Sequence, residues 1–123
     1  MAKKRVLVVE DNPANMQLIK LLLKRLDVAV LEATDGLEAL ERLKAEEFDL
    51  VLMDIQLPGM DGLTVTRRFK EDVKGKNVTI LALTAYAMKG DEEKAKEAGF
   101  DGYISKPIDV KSFLQEVSRF LGR

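Results

Sequence analysis

Among 123 residues there is no cysteine, no histidine and no tryptophan. Without cysteine there is no disulfide framework, no thiol nucleophile and no cysteine-ligated zinc. Without histidine there is no Ser-His-Asp or Cys-His relay and no imidazole metal ligand. Nor does the chain carry phosphate on an imidazole of its own, so if it handles phosphoryl groups a carboxylate must be the acceptor. No apolar run approaches the roughly 20 residues that span a bilayer. Met1-Ala2-Lys3-Lys4-Arg5 leads straight into a short apolar run, with no signal-type hydrophobic region. Charge of neither sign dominates: 20 basic against 21 acidic residues leave a net −1, with no basic excess of the kind that binds nucleic acid. A cytoplasmic protein engaging neither membrane nor nucleic acid is expected.

What is present suits one domain. Hydrophobic residues make up 46% and charged residues 33%, and the length is close to the commonest domain size, enough for one core. A single domain over residues 1–123 is expected, with no linker, repeat or low-complexity segment.

The chain reads as strand then helix, repeated five times. Strands are expected at Lys4–Val9, Val28–Ala33, Leu50–Met53, Val78–Leu83 and Gly102–Ser105. The first helix starts with Asn12 as N-cap and Pro13 at its first position, and is expected to reach about Leu26. Asp35 caps a second helix, Gly36 to Glu46, with Leu37, Leu40 and Leu43 at helical spacing. Ile55 to Met60, containing Pro58-Gly59, reads as a loop, and Asp61 caps a third helix to about Glu71. Val73 to Asn77 reads as a polar connector. A fourth helix runs from about Lys89 to a C′ glycine at Gly99, and a fifth from Asp109 to Leu121. Short, continuous runs of Val, Leu and Ile suit strands covered on both faces. The expected fold is α/β: a doubly wound, five-stranded parallel sheet of flavodoxin-like order 2-1-3-4-5, with five helices on both faces.

The ends of these runs carry the chemistry. Glu10 and Asp11 follow Val6-Leu7-Val8-Val9, Asp54 follows Leu50-Val51-Leu52-Met53, Thr84 follows Ile80-Leu81-Ala82-Leu83, and Lys106 follows Tyr103-Ile104-Ser105. In a parallel sheet those ends share one edge, and ligands bind beyond it where strand order reverses, here between strands one and three. Three converging carboxylates repel one another unless a cation sits among them. Hard oxygen ligands without nitrogen or sulfur suit magnesium, which also clamps a phosphoryl oxygen during transfer. Asp54 then becomes a candidate carboxylate nucleophile toward phosphorus.

Each residue also has a plainer reading. Asp54 alone reads equally as a cap or loop former, Lys106 as a solvated surface charge, Thr84 as a β-branched strand residue and Tyr103 as a half-buried packing aromatic. Met53, Met60 and Met88 read as core or gap fillers. The strand-end placement of Lys106 favours a counter-ion role toward Asp54 or a phosphoryl group, and Thr84 has a hydroxyl to offer such a group. Pro107 is a candidate for a cis peptide.

Val8-Val9-Glu10-Asp11-Asn12, Leu52-Met53-Asp54-Ile55-Gln56-Leu57-Pro58-Gly59-Met60-Asp61-Gly62, Leu83-Thr84-Ala85 and Tyr103-Ile104-Ser105-Lys106-Pro107 together resemble the receiver domain of bacterial two-component response regulators. The resemblance covers essentially the whole chain. It is strongest to single-domain regulators of the DivK type and to receivers of hybrid kinases. It implies a CheY-like fold with Asp54 as phosphoacceptor. Glu10 and Asp11 become the acid pair for Mg2+, with Mn2+ as a substitute, and Gln56 lends its backbone carbonyl to the metal. Thr84 and Tyr103 become the switch pair and Lys106 the phosphoryl-contacting lysine. Gln56 and Tyr86, two beyond the acceptor and two beyond the threonine, become the positions that influence phosphate lifetime. Many members have Asp where Glu10 stands; the longer acid suits action through a metal-bound water.

The implied partners are a histidine kinase or histidine phosphotransfer protein and a downstream protein target, with the chain a monomer or weak dimer. No output domain follows Arg123, so a stand-alone receiver that catalyses only its own phosphorylation and dephosphorylation is expected. The apolar set of the first helix is wider than one sheet face buries. Its rim residues Ala14, Leu18 and Leu21 are either a docking stripe for a helical phosphotransfer partner or ordinary exposed apolar side chains. Two rivals fit less well. A haloacid-dehalogenase-type phosphatase needs a second Asp two residues after the first, where Gln56 stands. A passive interaction module leaves the intact acid cluster unexplained, and the absence of tryptophan and of a Ser/Thr-rich phosphate loop argues against a flavin-binding relative.

Overall fold

The computed structural model describes residues 3–72, 75–85 and 89–122, with 89–91 described by backbone alone. Strands and helices alternate as β1 (Arg5–Val9), α1 (Pro13–Lys24), β2 (Ala29–Ala33), α2 (Gly36–Ala45), β3 (Leu50–Asp54), α3 (Gly62–Glu71), β4 (Thr79–Thr84), α4 (Lys89–Ala98), β5 (Gly102–Ser105) and α5 (Val110–Phe120). All four strand pairings are parallel and the order is β2-β1-β3-β4-β5, as expected from the sequence. Among the described residues no helix is long and apolar enough to cross a membrane.

The period of two along each strand explains why the runs are apolar throughout. Val6, Val8, Leu50, Leu52, Leu81 and Leu83 pack with Met16, Ile19 and Leu23 of α1 and Phe113 and Val117 of α5. Their neighbours Leu7, Val9, Val51, Met53, Ile80 and Ala82 pack with Leu40 and Leu43 of α2, Val65 and Phe69 of α3 and Ala95 of α4. Strand residues thus alternate between two cores, and those outside both sit at strand ends, apart from Glu32 of the edge strand β2, which is exposed and pairs with Lys20.

Local chemistry starts the helices. Asn12, Asp35, Asp61 and Asp109 accept from the backbone N–H three residues on, at 3.1, 2.8, 2.8 and 2.9 Å, satisfying donors that a helix start leaves unpaired. Asp109 is therefore the cap of α5 rather than part of it. Gly99, at φ 106°, follows α4 in the left-handed region, as expected of a C′ glycine. Helix α1 ends at Lys24, short of the expected Leu26. The Arg25 and Leu26 N–H groups turn back to Leu22 and Leu23 carbonyls, and Asp27 takes φ 53°. The apolar pattern continues to Leu26 because that side chain still packs on the core, not because the backbone stays helical. In the expected connector, Gly75–Asn77 forms a 3-10 turn; Val73 and Lys74 lie outside the described residues.

Candidate functional site

Strand register brings the charged residues together. Val9 of β1 pairs with Met53 of β3, so the next residues, Glu10 and Asp54, emerge side by side. Glu10 extends the ladder by one bond, its N–H donating to Ala33 O at 3.1 Å. Thr84 ends β4, beside Ser105 of β5, and the Lys106 N–H donates to Thr84 O at 2.7 Å. Lys106 thus begins two strands away from Asp54, and its long side chain crosses the gap. The Lys106–Pro107 peptide is cis.

The Lys106 ammonium donates to Asp54 Oδ2 at 2.7 Å and to Glu10 Oε2 and Oε1 at 2.9 and 3.1 Å. Asp54 Oδ1 accepts from the Gln56 N–H at 2.8 Å, and Glu10 Oε1 accepts from Asn15 Nδ2 at 3.2 Å. Glu10 is 1% and Asp54 4% exposed, so these donors replace most of the water the carboxylates would otherwise hold. Burial pushes the Glu10 carboxyl above its ordinary pKa; neighbouring Asp54 adds to that push and Lys106 opposes it. Burial also works against the Lys106 charge, but the bonds to Asp54 and Glu10 outweigh it and raise the lysine pKa.

Asp11 is exposed, yet it completes a cluster in which one oxygen each of Glu10, Asp11 and Asp54 lies within 4.8 Å of the others. Three carboxylates against one ammonium leave an excess of two negative charges (3 − 1 = 2). An all-oxygen donor set with that excess fits magnesium, which draws on few protein carboxylates and keeps several waters.

The structure places the other sequence candidates as follows. Thr84 is 2% exposed at the end of β4. Tyr103 is half-buried on β5, in register with Ala82, and packs on the core beneath α2, α3 and α4. The Gln56 side chain is exposed, and its backbone N–H belongs to Asp54. Ala14, Leu18 and Leu21 all lie on the exposed side of α1, opposite its buried Met16, Ile19, Leu22 and Leu23. Leu21, 65% exposed, also lines a cavity of about 320 Å³ against Val28 and Val30 at the sheet edge. Met53 and Met60 pack in the core region as fillers, while Tyr86 and Met88 lie outside the described residues. Asn15 escaped the sequence reading. Its signal was its place in the first turn of the helix that follows the acid pair.

A larger cavity, about 530 Å³, opens at the amino ends of β1, β3 and β4 among Lys3, Arg5, Phe48, Asp49 and Asn77 and touches none of the acid cluster. The charged groups instead lie at the carboxyl ends of the strands, where doubly wound folds bind their ligands.

Residues 6–118 match the response regulator receiver domain family. The chain is similar to the polar-differentiation response regulator DivK of Brucella ovis, 43% identical over 119 residues and 97% of each chain. Its fold is similar to the receiver domain of the sensor histidine kinase PA1611 from Pseudomonas aeruginosa PAO1. The TM-score is 0.90 at 35% identity over 99% of this chain and 100% of that one. That protein coordinates a magnesium ion in its active site cleft. The chemotaxis protein CheY4 of Vibrio cholerae is also similar, with a TM-score of 0.90 at 27% identity over 97% of this chain and 99% of that one. The chain belongs to the response regulator receiver domain family and is a phospho-receiver of two-component signalling.

Proposed function

We propose that the whole chain, residues 1–123, is one receiver domain that takes a phosphoryl group on Asp54 from a phosphohistidine. The donor is a histidine kinase or a histidine phosphotransfer protein. The observation that carries this is the Asp54 carboxylate, 4% exposed at the end of β3, bonded to Lys106 and clustered with Glu10 and Asp11. An Asp54 oxygen attacks phosphorus, the phosphorus–nitrogen bond breaks, and its electron pair returns to the donor imidazole. Glu10, Asp11, Asp54 and the Gln56 carbonyl would hold Mg2+, with Mn2+ as substitute. When bound, the metal supplies charge neutralisation at the phosphoryl oxygens. The Lys106 ammonium, freed from one carboxylate contact, pairs with a phosphoryl oxygen. Apart from its own phosphorylation and dephosphorylation the domain catalyses nothing.

Incubation with a small phosphodonor and magnesium, followed by intact mass measurement, tests this reading. One labile phosphoryl adduct supports it. Multiple turnover of phosphate esters points to a phosphatase, and no adduct to a passive module.

Magnesium should raise the unfolding temperature by mass action, contributing about 2.7 kcal/mol at a hundredfold excess over its Kd. In Asp11→Ala that response should shrink, and the metal-free protein should gain stability because like charges are fewer. An unchanged magnesium response in Asp11→Ala, followed by thermal unfolding, would contradict the ligand assignment.

Output passes through Thr84 and Tyr103. The phosphoryl group adds charge and acceptor oxygens beside the end of β4. The Thr84 hydroxyl moves to bond one of them, and the Tyr103 ring turns into the vacated space, giving a two-state element that phosphate biases. The surface that responds is built by α4, β5 and α5, and a downstream protein or a second copy in a weak dimer binds there. Ala14, Leu18 and Leu21 on α1 receive the helical phosphodonor. Thr84→Ala should still accept phosphate yet lose most of the phosphate-dependent gain in partner affinity, about 1–3 kcal/mol. Titration of both phosphorylated proteins against the partner reads this directly. The near balance of charge, and the lack of a membrane-length helix among the described residues, support a cytoplasmic location without nucleic-acid binding.

A further inference from the structure

We propose that Asn15 is the positioning residue of Glu10: its side-chain amide holds the buried carboxylate in place, and continues to do so when Lys106 turns to the phosphoryl group. The inference rests on reading Glu10, Asp11 and Asp54 as the cation cluster.

Glu10 accepts from two side chains, Lys106 and Asn15. Lys106 is shared, because its one ammonium also serves Asp54 at 2.7 Å. A phosphoryl group on Asp54 competes for that ammonium with more negative charge than the carboxylate offers. Glu10, 1% exposed, then loses its charged donor, and a buried carboxylate without hydrogen bonds is strongly disfavoured. The Asn15 amide is neutral, so it keeps donating without taking part in that competition. It also leaves the negative charge that a cation needs.

The amide is well placed to act as an anchor. Asn15 is the third residue of α1, after Pro13 at the first position, and its backbone N–H donates to the Asn12 cap at 3.1 Å. Its backbone is therefore set by helix initiation, and its side chain reaches back five residues to the strand end. The length of Glu10 is part of the arrangement. An aspartate in its place is one methylene, about 1.5 Å, shorter, and the bond to Asn15 is already 3.2 Å long.

A double-mutant cycle tests the proposal. Magnesium binding is measured by calorimetry for the unsubstituted protein, Asn15→Leu, Glu10→Asp and the double variant. Leucine keeps the shape of asparagine without its donor, and Asn15→Ala serves as a second variant should Asn15→Leu fold poorly. Loss of the donor should weaken magnesium binding about tenfold when Glu10 is present, as outer-shell bonds to metal ligands do. In the Glu10→Asp background the loss should be less than about twofold, because the contact is already gone. Equal losses in both backgrounds, or no loss beside Glu10, would overturn the proposal. Should the unsubstituted protein bind no magnesium, the cation reading fails, yet the contact is still read in metal-free protein. There Asn15→Leu should lower the unfolding midpoint beside Glu10 and leave it unchanged in the Glu10→Asp background, and equal shifts would refute the anchor.

Discussion

Asp54→Asn should fold and should take up no phosphate. Its amide keeps the size of the carboxylate and an oxygen able to accept the Gln56 N–H, so the bond at 2.8 Å survives. What is lost is the anionic oxygen that attacks phosphorus, and an amide is a poor nucleophile. The nearby acids do not take over. Glu10 is held by Lys106 and Asn15, and Asp11, though close enough to join the cation cluster, is an exposed carboxylate on the loop after β1. Phosphoryl incorporation, followed by intact mass after treatment with a small phosphodonor and magnesium, should fall to background while circular dichroism is unchanged. Full incorporation at another side chain would remove Asp54 as acceptor. Lys106 would keep its bonds to Glu10, so no large change in stability is expected.

Gly62→Ala should damage both stability and the site. A Cβ built on Gly62 meets the Asp54 carbonyl oxygen at 2.2 Å, with Asp54 C and Ile55 Cα at 3.0 Å. These are backbone atoms, so no side chain can swing aside to make room. Gly62 N–H also donates to Ile55 O at 2.9 Å, which holds the start of α3 against the end of β3. Relief of the clash must push those two apart, and the end of β3 is where Asp54 sits. Overpacking of this kind costs about 3 kcal/mol, the upper part of the usual range. Denaturant unfolding should show that loss. The rate of phosphoryl uptake should fall as well, because Asp54 moves away from Lys106 and Glu10. A variant that is as stable as the unsubstituted protein would show that the α3–β3 contact yields more easily than its geometry implies.

Much of this was legible in the chain because the signals are local. Asn12, Asp35 and Asp61 announce helix starts through the chemistry of a side-chain oxygen and an N–H three residues on. Apolar runs closed by Glu10-Asp11, Asp54, Thr84 and Lys106 announce strands whose ends carry charge. Where local pattern and tertiary contact part company, the sequence misleads. Leu26 continues the apolar spacing of α1 but packs on the core from a turn. Asp54 reads as the residue after a strand and is in fact its last member, because its neighbours in β4 extend the ladder to Leu83.

By itself, then, the sequence determined the βα alternation, the parallel class of sheet, the exclusion of imidazole and thiol chemistry, and the set of charged residues placed at strand ends. Only the tertiary structure decided how those residues meet. Lys106 reaches Asp54 across 52 positions of chain and Glu10 across 96. Both contacts depend on the register of four strands and the direction of every crossover. That Glu10 is nearly sealed from solvent, that Asn15 turns back to it, and that Gly62 leaves no room beside the Asp54 backbone follow from the same packing. The reason is physical. Periodicity and capping act over one helical turn or a few strand residues, whereas burial and ion pairing are properties of surfaces that exist only after the sheet has assembled.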